Sequence, residues 1–384
     1  MISTIKSVSP AEFPKRNNLF FQERNNLHQI RRLLYLQAIF GINRLYLLVN
    51  NKFIRWVFYF ISGFIIFIAV SSILTETLAR ASYIVVKDAL VVEYILLSIN
   101  ALFLVRSTAK KFIKNLNSFD ESLNIYTNNK LSNVTVAHTF LITLAVFYMV
   151  TEGLFFYAYY ETEILMDTKY ILLLITTIAQ DVEIILVCTM IIFMLRRVKV
   201  LKGHVIKLFV MQNEIIIEKN TFEELSFKTN LDISSVHKAY EQLHNCSTQL
   251  NRMISFPMMV IIFSSGLSTI MYLKNILDQV LMLNIILFCI KYTIMVILPC
   301  FFSNKTTSQV AALRAILHDA VNTTYTLQKQ ERRKLKAFLQ LTRDSEISYA
   351  LWGVIRMDMS LPLSYMSLCT TYLIIVVQFS KFID

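Results

Sequence analysis

The chain's most chemically suggestive residues lie near its C-terminus: Thr371-Tyr372, five apolar residues from Leu373 to Val377, then Gln378-Phe379. A glutamine late in an intensely apolar helix must find partners for its amide, because acyl chains offer none. At 100° per residue, Ser364, Ser367, Thr371 and Gln378 fall within about 60° of one another. Ile374 and Ile375 flank that stripe, and Leu361, Leu363, Tyr365, Leu373, Val376, Val377 and Phe379 occupy the other faces. A narrow aqueous path needs such a set: hydroxyls and an amide for solvated ions, branched apolar side chains to close it by dewetting. A polar seam hydrogen-bonded to other helices of the same subunit uses the same residue types. The composition of this segment leaves both readings open. The pore reading also demands a symmetric ring of subunits, since one helix encloses nothing.

A second group is set in upstream apolar stretches. Glu152, Phe155, Phe156 and Tyr159 share one helical face; Tyr170, Leu174, Thr177 and Asp181 share another; Tyr83, Lys87, Tyr94 and Ser98 share a third. Ionisable groups at membrane depth face a cavity or each other, and an aromatic pocket with a few polar groups suits a small organic molecule. The alternative is a structural bridge from Lys87 to Asp181 or Glu152, with the tyrosines forming an interfacial belt. A ligand contact at Asp181 predicts that Asp181→Ala abolishes the response with surface expression intact.

The elements that carry these residues are membrane helices. Apolar residues make up 55% of the 384 and charged residues 17%, and mean hydropathy is +0.52, more apolar surface than a soluble domain can bury. The 28 phenylalanines and 18 tyrosines suit lipid-facing and interfacial positions. Stretches long enough to cross a bilayer fall near 56–76, 83–105, 137–159, 170–194, 257–274, 279–301 and 360–380. The expected fold is thus all-α and polytopic, with seven transmembrane helices. Lys87, Asp88 and Glu93 make the second span the weakest, and the fourth carries Asp181 and Glu183 near its centre.

Of 38 basic residues, nine precede Trp56, five lie in 106–135, nine in 195–256 and nine in 302–359. Only Arg80, Lys169, Lys274 and Lys381 fall on the other side, while Lys87 and Lys291 lie within spans. The asymmetry predicts a cytoplasmic N-terminus and, with seven spans, an extracellular C-terminus. The net charge of +12 then orients the chain and implies no nucleic-acid partner. No cleavable signal peptide is evident. The expected location is the plasma membrane, as a multi-pass protein.

The expected organisation is a cytoplasmic segment over 1–55, a six-helix ligand-binding bundle over 56–301 with a long cytoplasmic loop at 195–256, cytoplasmic anchor helices over 302–359, and the last helix with a short external tail over 360–384. Ile233, Val236, Tyr240, Leu243 and Leu250 recur at helical spacing and lead into the fifth span, interrupted only at Pro257. Val310, Leu313, Leu317 and Val321, then Leu335, Phe338 and Leu339, behave similarly. With six Gly and five Pro overall, these segments are helical extensions rather than loose linkers. They pack either within one subunit or as a platform between subunits. The sequons at Asn133, Asn245, Asn304 and Asn322 all fall on the cytoplasmic side, where they stay unglycosylated. The five cysteines imply no disulfide. His237, His244 and Cys246 invite a metal site, but a solvated helix face is the better account of them, and no metal is expected. No Gly-rich phosphate loop, Gly-x-Ser-x-Gly or His-Glu-x-x-His occurs, so neither an enzyme nor a cofactor is expected.

The Thr371-Tyr372-Leu-Ile-Ile-Val-Val-Gln378-Phe379 run matches the TYhhhhhQF motif (h, hydrophobic) of insect gustatory receptors. Together with seven spans, a cytoplasmic N-terminus, a long loop before the fifth span and an abrupt external C-terminus, it makes the chain resemble that family, within the superfamily that also holds the odorant receptors. The resemblance covers nearly the whole chain in layout and is residue-specific over about 345–380. Upstream, where the family often has Cys-Gly-x-Phe before an Asp, this chain has Trp352-Gly353-Val354-Ile355 and then Asp358. Leu373 stands where sugar-sensing members tend to carry Glu, which favours a bitter-type tastant.

The resemblance implies a ligand-gated, non-selective cation channel, homotetrameric or formed with other gustatory receptor subunits. Gln378 would ring the narrow outer end of the pore, with Thr371, Ile374, Ile375 and Phe379 bordering it and Tyr372 packing on the neighbouring bundle. Its partners would be a small-molecule tastant, permeating cations and membrane lipid. An odorant-receptor-type channel for volatiles is the near alternative. A G-protein-coupled receptor would want an external N-terminus, Asp-Arg-Tyr after its third span and Asn-Pro-x-x-Tyr in its seventh, and a transporter would want Gly- or Pro-broken repeats.

Overall fold

A computed structural model of the chain describes residues 30–49, 51–76, 84–123, 168–209, 232–277, 283–323 and 329–380, with positions 146, 150 and 153 between them. These residues are almost wholly helical. Helix α1 (30–39) is followed by a short 3₁₀ turn at Leu45–Leu47. Then come α2 (Lys52–Glu76), α3 (Ile84–Ile99) and α4 (Arg106–Ser122). The long helices α5 (Thr168–Phe209), α6 (Ile233–Leu277) and α7 (Leu283–Thr323) precede α8 (Lys329–Asp344) and the terminal α9 (Ser360–Ser380). The span near 137–159 lies outside the described residues apart from 146, 150 and 153, which are helical.

Length explains the architecture. Helices α5, α6 and α7 hold 42, 45 and 41 residues; at 1.5 Å each they run about 60–68 Å, roughly twice a bilayer's hydrocarbon core. Each therefore joins a membrane-length apolar half to an amphipathic half without a break. Among the described residues, α2, α5 and α6 are apolar and long enough to cross a membrane, and the bent α3–α4 pair makes a fourth candidate. Helix α6 passes straight through Pro257, and α7 through Pro299. Proline removes one backbone bond, and a helix held on several sides tolerates that loss.

A π-helical turn at Asn100–Leu104 ends α3, and α4 leaves it at 63°. Such a bulge releases backbone bonds and turns the chain. Helix α4 then lies on the bundle through Ala109, Phe112, Ile113, Leu116 and Phe119, spaced for one helical face. Arg197 of α5 clamps it, with Nε and Nη2 donating to the two carboxylate oxygens of Asp120 at 3.0 and 2.7 Å. The periodic positions picked out in the sequence are buried inside this one chain: Val236, Tyr240, Leu243 and Leu250 on α6, Val310, Leu313 and Leu317 on α7, Leu335, Phe338 and Leu339 on α8. Phe338 stacks on His237 and meets Tyr240 edge-on.

The N-terminal segment joins the same core. Ile30, Leu34, Ala38, Ile42 and Leu45 are fully buried. Gly41, at φ +87°, lets the chain turn under Tyr94, whose hydroxyl occupies the place a Cβ would need. That hydroxyl donates to Phe40 O at 3.0 Å.

Candidate functional site

Among the described residues, helix α9 touches its own subunit along one side. Pro362, Tyr365 and Cys369 are buried there, and Tyr365 and Cys369 pack with Val296, Ile262 and Ile270. The Tyr365 hydroxyl and Thr269 Oγ1 share a buried hydrogen bond of 2.9 Å. Ser364, Ser367, Thr371 and Gln378 lie on the opposite side of the helix and are exposed. Among the described residues, none of these four bonds to another helix. Thr371 Oγ1 donates to Ser367 O of its own helix at 2.9 Å, and neighbouring Thr370 does the same to Met366 O. Ile374, Ile375 and Tyr372 are exposed beside the stripe; the side chain of Phe379 lies outside the described residues. Among the described residues, then, the polar stripe meets no partner it could serve as a seam.

At mid-depth in the bundle is a second constellation. Glu93, Asp181, Glu183, Ser264 and Lys291 each sit close to the middle of an expected span, and all are buried. They are paired across helices. Lys291 Nζ of α7 lies 3.1 Å from Asp181 Oδ2 of α5. Ser264 of α6 donates its hydroxyl to Glu93 of α3. Arg44, counted above among the N-terminal basic residues, reaches the carboxylate of Glu183 with both terminal nitrogens at 2.5 and 2.7 Å. Gln37 completes that cluster, donating to Glu183 Oε2 at 2.7 Å and accepting from Arg44 at 3.0 Å. Charges buried in apolar surroundings persist only when matched this way.

Of the pocket candidates, Tyr94, Ser98, Leu174, Thr177 and Asp181 are described; Leu174 is half-buried and the other four are buried. Tyr94 is engaged by Phe40 O, Thr177 Oγ1 donates to the Leu173 and Leu174 carbonyls, and Asp181 meets Lys291. The side chains of Lys87 and Tyr170, and residues Tyr83, Glu152, Phe155, Phe156 and Tyr159, lie outside the described residues. The charge partner found for Asp181 is Lys291, a residue that spacing alone did not single out. Arg44 and Gln37 were missed too, because no local pattern marks a residue that pairs over 139 positions.

The metal reading finds no support in the described geometry. His237 is stacked on Phe338. Cys246 is buried, and burial pushes its thiol up to about 12, leaving it protonated and a poor ligand. No cluster of three or more metal-ligating side chains occurs among the described residues.

A family model described as 7tm chemosensory receptor matches residues 30–383. No curated protein matches the chain.

Proposed function

Given that the chain belongs to the 7tm chemosensory receptor family, we propose that it is a gustatory-type receptor working as a ligand-gated, non-selective cation channel. In this reading seven helices cross the plasma membrane from a cytoplasmic N-terminus to an extracellular C-terminus, and several copies, four by resemblance, place α9 around a common axis. The observation that carries it is the orientation of α9: its apolar seam faces its own subunit, while Ser364, Ser367, Thr371 and Gln378 face away. A polar stripe turned from its own bundle costs least where water covers it. Ile374 and Ile375, beside the stripe, serve as the dewetting constriction, and Gln378 with Phe379 lies at the outer end.

The ligand, a small bitter-type tastant, binds among the outer halves of the second to fourth spans, with Tyr83, Lys87, Glu152, Phe155, Phe156, Tyr159 and Tyr170 as its candidate contacts alongside Tyr94, Thr177 and Asp181. Its binding acts on α9 through α6, to which α9 is tied by the Thr269–Tyr365 hydrogen bond.

Whole-cell recording from cells expressing this chain alone, against bitter compounds, sugars and volatiles, tests the reading. A ligand-evoked cation current that persists without nucleotides or G-protein signalling is expected; a response only through second messengers overturns it. A response to volatiles alone would make the odorant-receptor-type channel the better description. Gln378→Glu adds a carboxylate per subunit to the conduction path and is expected to shift the reversal potential towards greater cation, and especially divalent, preference. An unchanged reversal potential and unitary conductance would place Gln378 off the path.

A further inference from the structure

Between α8 and α9 the chain makes a small antiparallel hairpin, β1 (Ala350–Leu351) with β2 (Ile355–Arg356), paired Ala350 to Arg356 and Leu351 to Ile355. Its base is fixed. Ala350 N donates to Asn251 Oδ1 at 3.0 Å, Ser255 Oγ donates to Ala350 O at 3.1 Å, and Leu351 and Met357 are buried. Its tip points out of the subunit: Trp352 is 64% exposed, Val354 83% and Ile355 40%. Trp352 and Gly353 both have positive φ, +51° and +74°. Glycine accepts that conformation freely, but tryptophan does not, so the bulky ring is held outward against its backbone preference.

Two rulers give the tip's depth. Helix α9 begins at Ser360 and has 21 residues, about 31 Å, which matches a hydrocarbon core of about 30 Å. The hairpin is bolted to α6 at Asn251 and Ser255, just before the apolar stretch that starts at Pro257. Exposed positive charge also flanks the inner edges of four expected spans: Arg106, Arg252, Lys305 and Arg356. Lys305 Nζ lies 5.4 Å over the ring of half-exposed Phe301. A rigid indole with two branched apolar neighbours, set in a basic collar at the foot of a membrane helix, matches the chemistry of an anionic membrane interface.

We propose that the Trp352–Ile355 tip is an interfacial anchor that inserts into the headgroup region of the cytoplasmic leaflet and fixes the depth of the root of α9. The anchor rests on the proposed orientation, with the foot of α9 at the cytoplasmic face, and does not depend on α9 lining a pore.

The chain has two tryptophans, so Trp56→Phe leaves Trp352 as the only indole. Trp56 is exposed on α2, and its replacement opens no cavity. The full-length variant is reconstituted into phosphatidylcholine–phosphatidylserine vesicles whose acyl chains carry bromine either near the headgroup or near the terminal methyl. Shallow bromines are expected to quench Trp352 several-fold more than deep ones. Iodide quenching without bromolipid quenching would put the tip in water and overturn the proposal. Quenching by neither would bury it against a second copy of the chain and overturn it equally.

Discussion

Glu183→Ala is expected to destabilise the subunit by about 3–5 kcal/mol, the usual consequence of removing one member of a buried ion pair. The carboxylate of Glu183 accepts from both terminal nitrogens of Arg44 and from the Gln37 amide, and all three side chains are buried. Among the described residues, truncation leaves the guanidinium with Gln37 Oε1 as its one acceptor, in surroundings too apolar to hydrate it. Alanine also leaves the Gln37 amide without its acceptor. Detergent-solubilised protein followed by size-exclusion fluorescence should show a large fall in melting temperature and little surface expression. Glu183→Gln keeps the shape and one acceptor and is expected to fall between the two. Arg44→Met with Glu183→Leu removes both charges together and is expected to recover much of the loss, because a buried pair contributes little beyond a packed apolar one. Wild-type melting in Glu183→Ala would mean that water reaches Arg44, and that α1 is not held in the core by this pair.

That cluster also marks the boundary of what could be read from residue order. Periodicity is local, so the buried faces of α6, α7 and α8 were legible: Leu243, Val310 and Phe338 face inward as their spacing predicts. Pairing is not local. Lys291 and Asp181 are 110 positions apart on different helices, and nothing near Lys87 or Lys291 tells which of them meets Asp181. Glu93 looked like a defect in the second span; it is a buried acceptor for Ser264, and the partner offsets the cost of burial. Pro257 looked like an interruption, yet α6 continues through it because neighbouring helices supply the support. The polar stripe of α9 was visible in sequence, but its direction was not. Only the position of the Tyr365–Cys369 seam shows which side faces the subunit. The hairpin was invisible for a simpler reason, since strands of two residues carry no alternation to detect.

The Lys291–Asp181 pair changes what an Asp181 substitution measures. Lys291 is wholly buried and its ammonium lies 3.1 Å from the Asp181 carboxylate. Asp181→Ala therefore takes the salt-bridge carboxylate away from a buried cation, again an expected loss of about 3–5 kcal/mol, and surface expression should fall with it. A lost ligand response in that variant alone says nothing about ligand contact. Asp181→Leu with Lys291→Met removes both charges and keeps the volume, which is expected to return the receptor to the surface. Two side chains in contact do not act additively, so the recovery is read as a coupling between them. Dose–response curves on the recovered double variant then isolate the pocket. If Asp181 touches the ligand, the double variant reaches the surface and stays silent across the concentrations that saturate wild type. A restored response at an ordinary midpoint would make the carboxylate a counter-ion for Lys291 and nothing more, moving the pocket outward towards the third span.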